Sequence, residues 1–208
     1  HCREYNRNQR IFPTALQIFR LGLGQPAVNF PALTARFLYE YYTEHIKGDV
    51  IVYDPSSGWG GRILGAMCTN RKLHYIGTDP NPDNVGRYEN VAKFYNTHCN
   101  QDNQFWGDRE KNTYSVFTNG SEEIYNEPNF KKYEGQVDFV FTSPPYFNRE
   151  QYSQDENQSF KKFSAYEDWR DNFLKPTLTT AYKMLKDDRY IAWNIADIKV
   201  GSNKPLIP

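Results

Sequence analysis

Short apolar runs alternate along this chain with longer segments in which apolar residues recur at helical spacing. The runs are rich in β-branched and aromatic residues, which is typical of strands that are buried on both faces. They predict five strands, at 50–53, 73–77, 115–118, 137–141 and 190–195.

The segments between these runs predict helices at about 30–45, 62–68, 83–96 and 164–186. Pro31 suits the first turn of the first helix. The spacing places four large apolar residues on one face of that helix: Leu33, Phe37, Leu38 and Tyr41.

The last predicted helix carries signals at its start and in its interior. Ser164 and Glu167 have the spacing of a capping box, and Pro176 is expected to kink or divide the helix. Polar residues 147–163 ahead of it predict a long loop, and residues 201–208 also predict a loop. Strands that alternate with helices predict an α/β fold with an open, mostly parallel sheet and helices on both faces.

A glycine-rich loop, residues 54–61, follows the first predicted strand and is called the glycine loop below. Ligands of open α/β sheets lie beyond the carboxyl ends of strands, and glycine lets a backbone approach a ligand closely. Asp79 ends the next predicted strand, at about the spacing by which such folds place a carboxylate on ribose hydroxyls. The alternative is a turn that binds nothing, with Asp79 solvated. The candidate binding residues of the loop are Asp54, Pro55, Ser56, Gly58, Gly60 and Gly61.

A rigid polar corner follows the strand predicted at 137–141; it is called the Ser-Pro-Pro-Tyr corner and consists of Ser143, Pro144, Pro145 and Tyr146. An exocyclic amino nitrogen is a poor nucleophile because its lone pair is delocalised into the ring. The Ser143 hydroxyl and the Pro144 carbonyl are acceptors that can hold the amino hydrogens and oppose this delocalisation. The prolines fix φ, and the Tyr146 ring can stack on the base. The alternative is a Pro-Pro turn that ends a strand.

Taken in order, these features resemble the cofactor and catalytic motifs of the amino DNA methyltransferases. That family transfers a methyl group from S-adenosylmethionine to N4 of cytosine or N6 of adenine. The resemblance covers roughly residues 30–195 and implies a Rossmann-like class I methyltransferase fold. The loop is not the Gly-x-Gly-x-x-Gly of dinucleotide-binding proteins, and the chain has no Walker motif.

The resemblance also implies roles for individual residues in holding S-adenosylmethionine. The backbone of 58–61 would lie against the methionine part, and the Asp79 carboxylate would bind the ribose. Phe30 and Pro31 match a helix start that touches the methionine end in this family. The residues expected beside the adenine are Pro80, Asn81, Asn119, Gly120, Ser121 and Glu122.

The serine of the Ser-Pro-Pro-Tyr corner favours N4 of cytosine, since family members with Asp or Asn at that position are mostly N6-adenine enzymes. The expected partner is DNA, with the target base flipped out of the duplex because a stacked base cannot reach the corner. Many Ser-Pro-Pro-Tyr enzymes place this motif before the glycine loop, whereas here the loop comes first. Three alternatives remain: an N6-adenine DNA enzyme, an RNA amino methyltransferase, and a module that binds S-adenosylmethionine without catalysis.

The resemblance also bears on domain organisation. A full methyltransferase sheet has seven strands, whereas about five are predicted, and the chain starts with His1 rather than Met. We therefore expect an incomplete catalytic domain over 30–208, after an unassigned segment 1–29, with a target-recognition region that is separate or missing. The loop at 147–163 borders the expected base pocket, where it either closes over DNA or stays a solvated surface loop.

Charge and cysteine content limit the possible partners. Lys+Arg and Asp+Glu are equal, at 25 each, so any nucleic-acid surface must be local. The first twenty residues lean basic, as an ordinary solvated segment or as a phosphate-binding arm. Three cysteines without metal-like spacing predict reduced thiols, no metal site and a cytoplasmic location. The sequence predicts neither a membrane-spanning segment nor a signal peptide.

Overall fold

Five parallel strands form the centre of the computed structural model, which describes residues 29–98, 112–147, 159–195, 198–199 and 206–207. The strands lie in the order β3-β2-β1-β4-β5, and every neighbouring pair is parallel. The predicted open parallel sheet is therefore confirmed. The strands are β1 (Val50–Asp54), β2 (Leu73–Thr78), β3 (Thr113–Phe117), β4 (Val137–Thr142) and β5 (Leu185–Trp193).

Helices cover both faces of this sheet. Helices α1, α2 and α3 pack on one face through residues such as Tyr39, Ile63 and Tyr88. A 3₁₀ turn, α4 and α7 pack on the other face, where Ile124 and Phe130 are fully buried. The helices are α1 (Ala32–Thr43), α2 (Gly61–Met67), α3 (Pro82–His98), α4 (Pro128–Lys131), α5 (Ser159–Lys162), α6 (Tyr166–Trp169) and α7 (Lys175–Met184), and the 3₁₀ turn is Ile124–Asn126.

Helix α1 does not bury the face that its large apolar residues predict. Leu33, Phe37 and Tyr41 are 77%, 60% and 55% exposed, whereas Ala35 and Tyr39 are fully buried. The reason is a close crossing with α2, because a Cβ at Gly65 would lie 2.7 Å from the Cβ of Ala35. Small residues on both helices let the backbones approach, and this contact decides which face of α1 turns inward.

The capping box predicted at Ser164 does not form. The N-cap residue of α6 is Ala165, and no side chain caps this helix end. The helix start is held instead by aromatic packing, since the rings of Tyr166 and Trp169 lie 5.9 and 6.1 Å from that of Phe147. Burial of these rings contributes more than one cap hydrogen bond.

Pro176 does not divide the last predicted helix. The backbone stays helical from Tyr166 to Met184, and it widens into a π-helical turn at Arg170–Leu174, directly before Pro176. Proline cannot donate to the carbonyl four residues earlier, and that carbonyl lies within the wider turn. The helix then ends at Met184, before the predicted end, because residues from Leu185 onward enter β5.

Strand β5 begins earlier than its apolar run predicts. Leu185 already pairs with Val137, then the register shifts, and regular pairing resumes where Tyr190 faces Phe139. Within the irregular stretch Asp188 adopts a left-handed conformation, with φ of 56°. A strand pattern is visible in the sequence only after this bulge, where side chains again alternate between the two faces.

Two predicted loops contain short regular elements. Most of the segment 147–163 lies outside the described residues, but its end forms α5, at Ser159–Lys162. In the segment 201–208, the strand β7 (Leu206–Ile207) pairs antiparallel with β6 (Ile198–Lys199). Apart from residue 29, the N-terminal segment 1–29 also lies outside the described residues. Within the described part of the chain, every helix is too short or too polar to cross a membrane.

Candidate functional site

The glycine loop and the Ser-Pro-Pro-Tyr corner lie side by side at the carboxyl edge of the sheet. The loop follows β1 and the corner follows β4, and these two strands are paired neighbours. The strand order also reverses here, since β2 and β3 extend to one side of β1 and β5 extends beyond β4. Open α/β sheets bind ligands at this switch point, so the topology brings the two predicted motifs to one candidate site.

A buried carboxylate joins the two motifs. Asp54, fully buried at the end of β1, accepts hydrogen bonds at Oδ1 from Thr142 Oγ1 (2.9 Å) and from the Ser56 N–H (3.1 Å). Its Oδ2 accepts from Arg62 Nε and from the Tyr75 hydroxyl, both at 2.7 Å. Protein groups thus surround both oxygens, and Asp54 holds the loop against the strand that carries the corner. Its predicted contact with a cofactor stays a prediction.

Arg62 is the cation of this network. Its side chain is 6% exposed, and its Nη2 donates to the Ser56 carbonyl. Burial alone would lower the pKa of Arg62, but the adjacent Asp54 carboxylate raises it above its ordinary value. The guanidinium carbon also lies 5.8 Å from the centre of the Phe30 ring. A charge buried in this way is stable only while its partner is present.

The loop itself has the close backbone approach that its glycines predict. Gly58 and Gly60 have φ of 59° and 89°, in the left-handed region that favours glycine. The Gly61 N–H donates to Asn29 Oδ1 at 3.0 Å, and a Cβ at Gly61 would collide with the Phe30 carbonyl. The structure therefore brings Phe30 against the loop, with exposed Pro31 next to it as the N-cap of α1, and their contact with the methionine end of a cofactor stays a prediction.

Asp79 lies at the end of β2 and faces the loop. It is 7% exposed, and its Oδ2 accepts from the Gly58 N–H at 2.9 Å. Its Oδ1 accepts from the Asn81 N–H (2.9 Å) and from Asn84 Nδ2 (3.1 Å). Burial raises the pKa of Asp79, and these hydrogen bonds offset part of that rise.

The remaining loop residues are held by their neighbours. Pro55 is buried, and its carbonyl accepts from Thr78 Oγ1 at 2.7 Å. Pro80 is half-buried directly after Asp79. The Tyr88 hydroxyl donates to the Gly58 carbonyl, and burial raises the pKa of Tyr88. The loop is therefore a preformed cradle rather than an open turn.

Residues 119–122, the second group predicted to lie beside the adenine, follow β3 at the same edge. The Asp79 N–H donates to the Phe117 carbonyl at 3.1 Å, which ties this region to the glycine loop. Asn119 is exposed and Gly120 half-buried, whereas Ser121 is buried with its hydroxyl 3.0 Å from Thr177 Oγ1. The Ser121 hydroxyl is therefore engaged with α7, and its contact with an adenine stays a prediction.

Glu122 is the last residue of the segment 119–122 that the resemblance sets beside the adenine. Its side chain is 6% exposed, and Oε1 pairs with Lys162 Nζ at 2.9 Å. Oε2 is buried without a hydrogen-bond partner among the described residues, although a buried carboxylate oxygen normally has one. It lies beside the backbone of Gly120, at the expected adenine end of the site.

The Ser-Pro-Pro-Tyr corner is less enclosed than the loop. Pro144 is buried, whereas Ser143, Pro145 and Tyr146 are half-buried. Phe147 has φ of 22° and is buried in an aromatic cluster with Trp169 and Phe173. The chain turns sharply at this point, so the corner stands on packed aromatic rings.

Asn194, the residue after β5, contacts the corner. Its Nδ2 donates to Ser143 Oγ at 3.2 Å, and its carbonyl accepts from the Tyr146 hydroxyl at 3.5 Å. Sequence reasoning missed this residue, although a polar side chain directly after an apolar strand is a usable signal. Arg62 has a comparable signal, because it is the one charged residue in an otherwise apolar helix.

Metal binding has no structural support in the described part of the chain. No three His, Cys, Asp or Glu side chains lie close enough together there to hold a metal ion.

One family model matches the part of the chain that contains the Ser-Pro-Pro-Tyr corner. Residues 137–206 match the family model described as DNA methylase, of the N6/N4 type. This segment begins with β4 and contains the whole Ser-Pro-Pro-Tyr corner and Asn194. No curated protein matches the chain.

Several solved methyltransferase structures are similar to this chain, one of them with a TM-score above 0.5. One is an S-adenosylmethionine-dependent methyltransferase from Agrobacterium tumefaciens, with a TM-score of 0.51 and 13% identity over 83% of this chain and 47% of that chain. A methyltransferase from Geobacter sulfurreducens gives 0.44 and 15%, over 88% and 72%. A candidate RNA methyltransferase from Pyrococcus horikoshii gives 0.41 and 20%, over 74% and 55%.

The covered length and the sequence identity decide what these similarities show. The chain spans about half the length of the Agrobacterium and Pyrococcus structures. At such low identity the Agrobacterium structure identifies the fold, which is the class I methyltransferase fold that the sequence predicts. The family model matches residues 137–206, and with the fold it confirms the resemblance to the amino DNA methyltransferases.

Proposed function

We propose that this chain transfers a methyl group from S-adenosylmethionine to the exocyclic amino group of a flipped DNA base, with N4 of cytosine favoured. The observation that carries the proposal is the hydrogen bond of 2.9 Å between Thr142 and Asp54. It ties the strand that leads into the Ser-Pro-Pro-Tyr corner to the first residue of the glycine loop. A methyl donor in the loop and an amino group at the corner would therefore be neighbours.

The residues present fit S-adenosylmethionine. The loop backbone packs so closely against Phe30 that no side chain fits at Gly61, which brings a residue expected to touch the methionine group against the loop. Asp79 is a buried carboxylate where the ribose is expected, and Glu122 Oε2, without a hydrogen-bond partner among the described residues, is an acceptor where the adenine is expected. When bound, S-adenosylmethionine supplies a methyl group on a positively charged sulfur.

The chain's own residues would act on the amino group. Ser143 Oγ and the Pro144 carbonyl accept its two hydrogens, which keeps the nitrogen lone pair directed at the methyl carbon. The new N–C bond forms as the S–C bond breaks, and one amino proton leaves to solvent. Acceptors held in place before the reaction are usually the largest catalytic term, and the two prolines hold these. Tyr146 would stack on the base face.

The cytosine preference rests on Ser143 alone, since the family match covers both the N6 and the N4 types and the corner's two acceptors fit either amino group. N6-adenine methylation of DNA is therefore the second candidate. An RNA amino methyltransferase and a module that binds S-adenosylmethionine without catalysis are the other two. Each of the three enzymes predicts a different product and the binding module predicts none, so one assay separates them.

The assay incubates the protein with S-adenosylmethionine and polymerase-amplified, hence unmethylated, DNA of mixed sequence, with RNA in parallel. Mass spectrometry of the digested nucleosides identifies the methylated base. N4-methylcytosine supports the proposal and N6-methyladenine selects the second candidate. Methylated RNA alone, or cofactor binding without any product, contradicts it.

Variants of the corner test the assigned roles. We expect Ser143→Ala to lower kcat on the order of 10²–10³-fold, the usual loss of one preorganised group. Tyr146→Ala, which removes a stacking contact of about 1–3 kcal/mol, should cost about tenfold to a hundredfold. Both should keep S-adenosylmethionine binding, measured by calorimetry.

Two exposed residues provide matched controls for these substitutions. Ser164→Ala and Tyr182→Ala remove the same side chains from the surface and should leave methylation unchanged. Full activity in Ser143→Ala or Tyr146→Ala would contradict the roles of those residues.

A further inference from the structure

Asn194 is fixed beside the Ser-Pro-Pro-Tyr corner by its backbone. Thr142 and Trp193 are the last paired residues of β4 and β5. The Asn194 N–H then donates to the Thr142 carbonyl at 2.9 Å, one step past that pair. The position of Asn194 is therefore set by the strand ladder and does not depend on its side chain.

The side chain and the carbonyl of Asn194 reach the two polar side chains of the corner. Asn194 Nδ2 lies 3.2 Å from Ser143 Oγ, and the Asn194 carbonyl lies 3.5 Å from the Tyr146 hydroxyl. No other hydrogen bond to Ser143 Oγ is found among the described residues. Within the described part of the chain, the group that fixes this hydroxyl is thus the exposed amide of Asn194, directly after the neighbouring strand.

A serine hydroxyl needs such a partner to serve as a directed acceptor. Its side chain has three staggered rotamers, and its oxygen carries one hydrogen and two lone pairs. A hydrogen bond from Asn194 occupies one lone pair and selects one rotamer, so the other lone pair points in a constant direction. Without the amide, Oγ would be distributed among rotamers that do not all face a base.

We propose that Asn194 is a positioning residue for methyl transfer: its side-chain amide orients Ser143 Oγ toward the exocyclic amino group, and its carbonyl steadies Tyr146. The inference rests on the proposed function and deepens it, because it assigns the acceptor geometry to a residue outside the motif. Asn194 contacts neither reacting atom. A plain strand-ending role would involve only its backbone, which every substitution except proline keeps.

The expected effect follows from one lost hydrogen bond and the freed rotamers. Loss of the hydrogen bond together with the freed rotamers of Ser143 is expected to lower the rate of methyl transfer about tenfold. We therefore expect Asn194→Ala to lower kcat about tenfold, with little change in KM for DNA or in S-adenosylmethionine binding. Asn70→Ala is the matched control, since Asn70 is exposed in the turn before β2 and should leave kcat unchanged.

The decisive experiment is a double-mutant cycle with Ser143→Ala, on mixed-sequence unmethylated DNA. If Asn194 acts through Ser143, the double variant will be no slower than Ser143→Ala alone. A full further tenfold loss in the double variant, or wild-type kcat in Asn194→Ala, would overturn the inference.

A second readout separates failure of this inference from failure of the proposed function. The same four proteins are unfolded in urea, where a real Ser143–Asn194 contact makes the two stability losses non-additive. If the variants lose stability non-additively but the wild-type protein methylates nothing, the Ser143–Asn194 contact is real and the proposed function is wrong. Additive losses would overturn the positioning role whether or not the protein methylates DNA.

Discussion

The glycine loop and the Ser-Pro-Pro-Tyr corner lie at the ends of neighbouring strands, but the protein holds them in different ways. In the loop, buried donors and acceptors are paired with one another, and Asp54 alone accepts four hydrogen bonds. In the corner, Ser143 and Tyr146 are half-buried and share one neighbour, Asn194. The loop is built into the core, whereas the corner presents its polar groups outward.

This difference indicates that the glycine loop contributes mainly to stability and the corner mainly to the proposed reaction. Because the glycine loop is held by a buried ion pair, substitutions in it lower the free energy of unfolding. Such a loop suits the part of the reaction that does not vary, which is the binding of a methyl donor. A substitution in the corner is expected to change the free energy of unfolding little and the rate of methyl transfer strongly, because the corner's acceptors are the groups proposed to meet the base. Substitutions in the two regions should therefore separate unfolding from catalysis.

The largest expected effect is on the loop. Arg62→Met leaves the Asp54 carboxylate buried without its cation, and breaking a buried pair costs about 3–5 kcal/mol. Urea denaturation measures the loss. Arg36→Met is the matched control, since Arg36 pairs with Glu40 one turn along α1, where both side chains stay partly exposed and such a pair contributes about 0.3–0.5 kcal/mol. Equal losses in the two variants would mean that the network does not hold the loop.

The next effect concerns the close approach of Phe30 to the loop. Gly61→Ala forces a Cβ against the Phe30 carbonyl and should cost about 1–3 kcal/mol by overpacking, with weaker S-adenosylmethionine binding in calorimetry. Gly86→Ala is the control, because a Cβ there meets nothing within 4 Å on helix α3. That variant should be stabilised by up to about 1 kcal/mol. A Gly61→Ala protein as stable as the wild type would show that the cradle is not tight.

The smallest effect is a pH dependence of the loop. Because the pKa of Asp79 is raised, the folded protein binds a proton at this carboxylate more tightly than the unfolded chain, in which the ordinary pKa is 3.8. The resulting stabilisation is present in full below 3.8 and is lost as the pH rises through the folded pKa. Asp79→Asn should therefore remove part of the gain in unfolding free energy on acidification, measured by urea titrations over that window. An identical pH profile in both proteins would contradict the raised pKa.

The positions of the two motifs were predictable because they depend on local signals. Apolar runs marked β1, β2 and β4, and in a parallel sheet each loop after such a strand opens at the same edge. The chain order of the glycine loop, Asp79 and the corner therefore placed all three at one candidate site. Sequence reasoning missed Tyr75 and Asn194, because their partners Asp54 and Ser143 lie 21 and 51 residues away in the chain. It missed Arg62 because the folded shape of the glycine loop decides that this side chain turns back to Asp54.

The sequence by itself determined the sheet, the helices on both faces and the two motifs that resemble amino DNA methyltransferases. It did so because strand and helix periodicities and glycine or proline turns are encoded within a few residues. Only the tertiary structure decided which face of α1 is buried, where β5 begins, and that Thr142 meets Asp54. Those outcomes depend on contacts between elements, such as Gly65 against Ala35, where the shape of one surface selects what can pack on another.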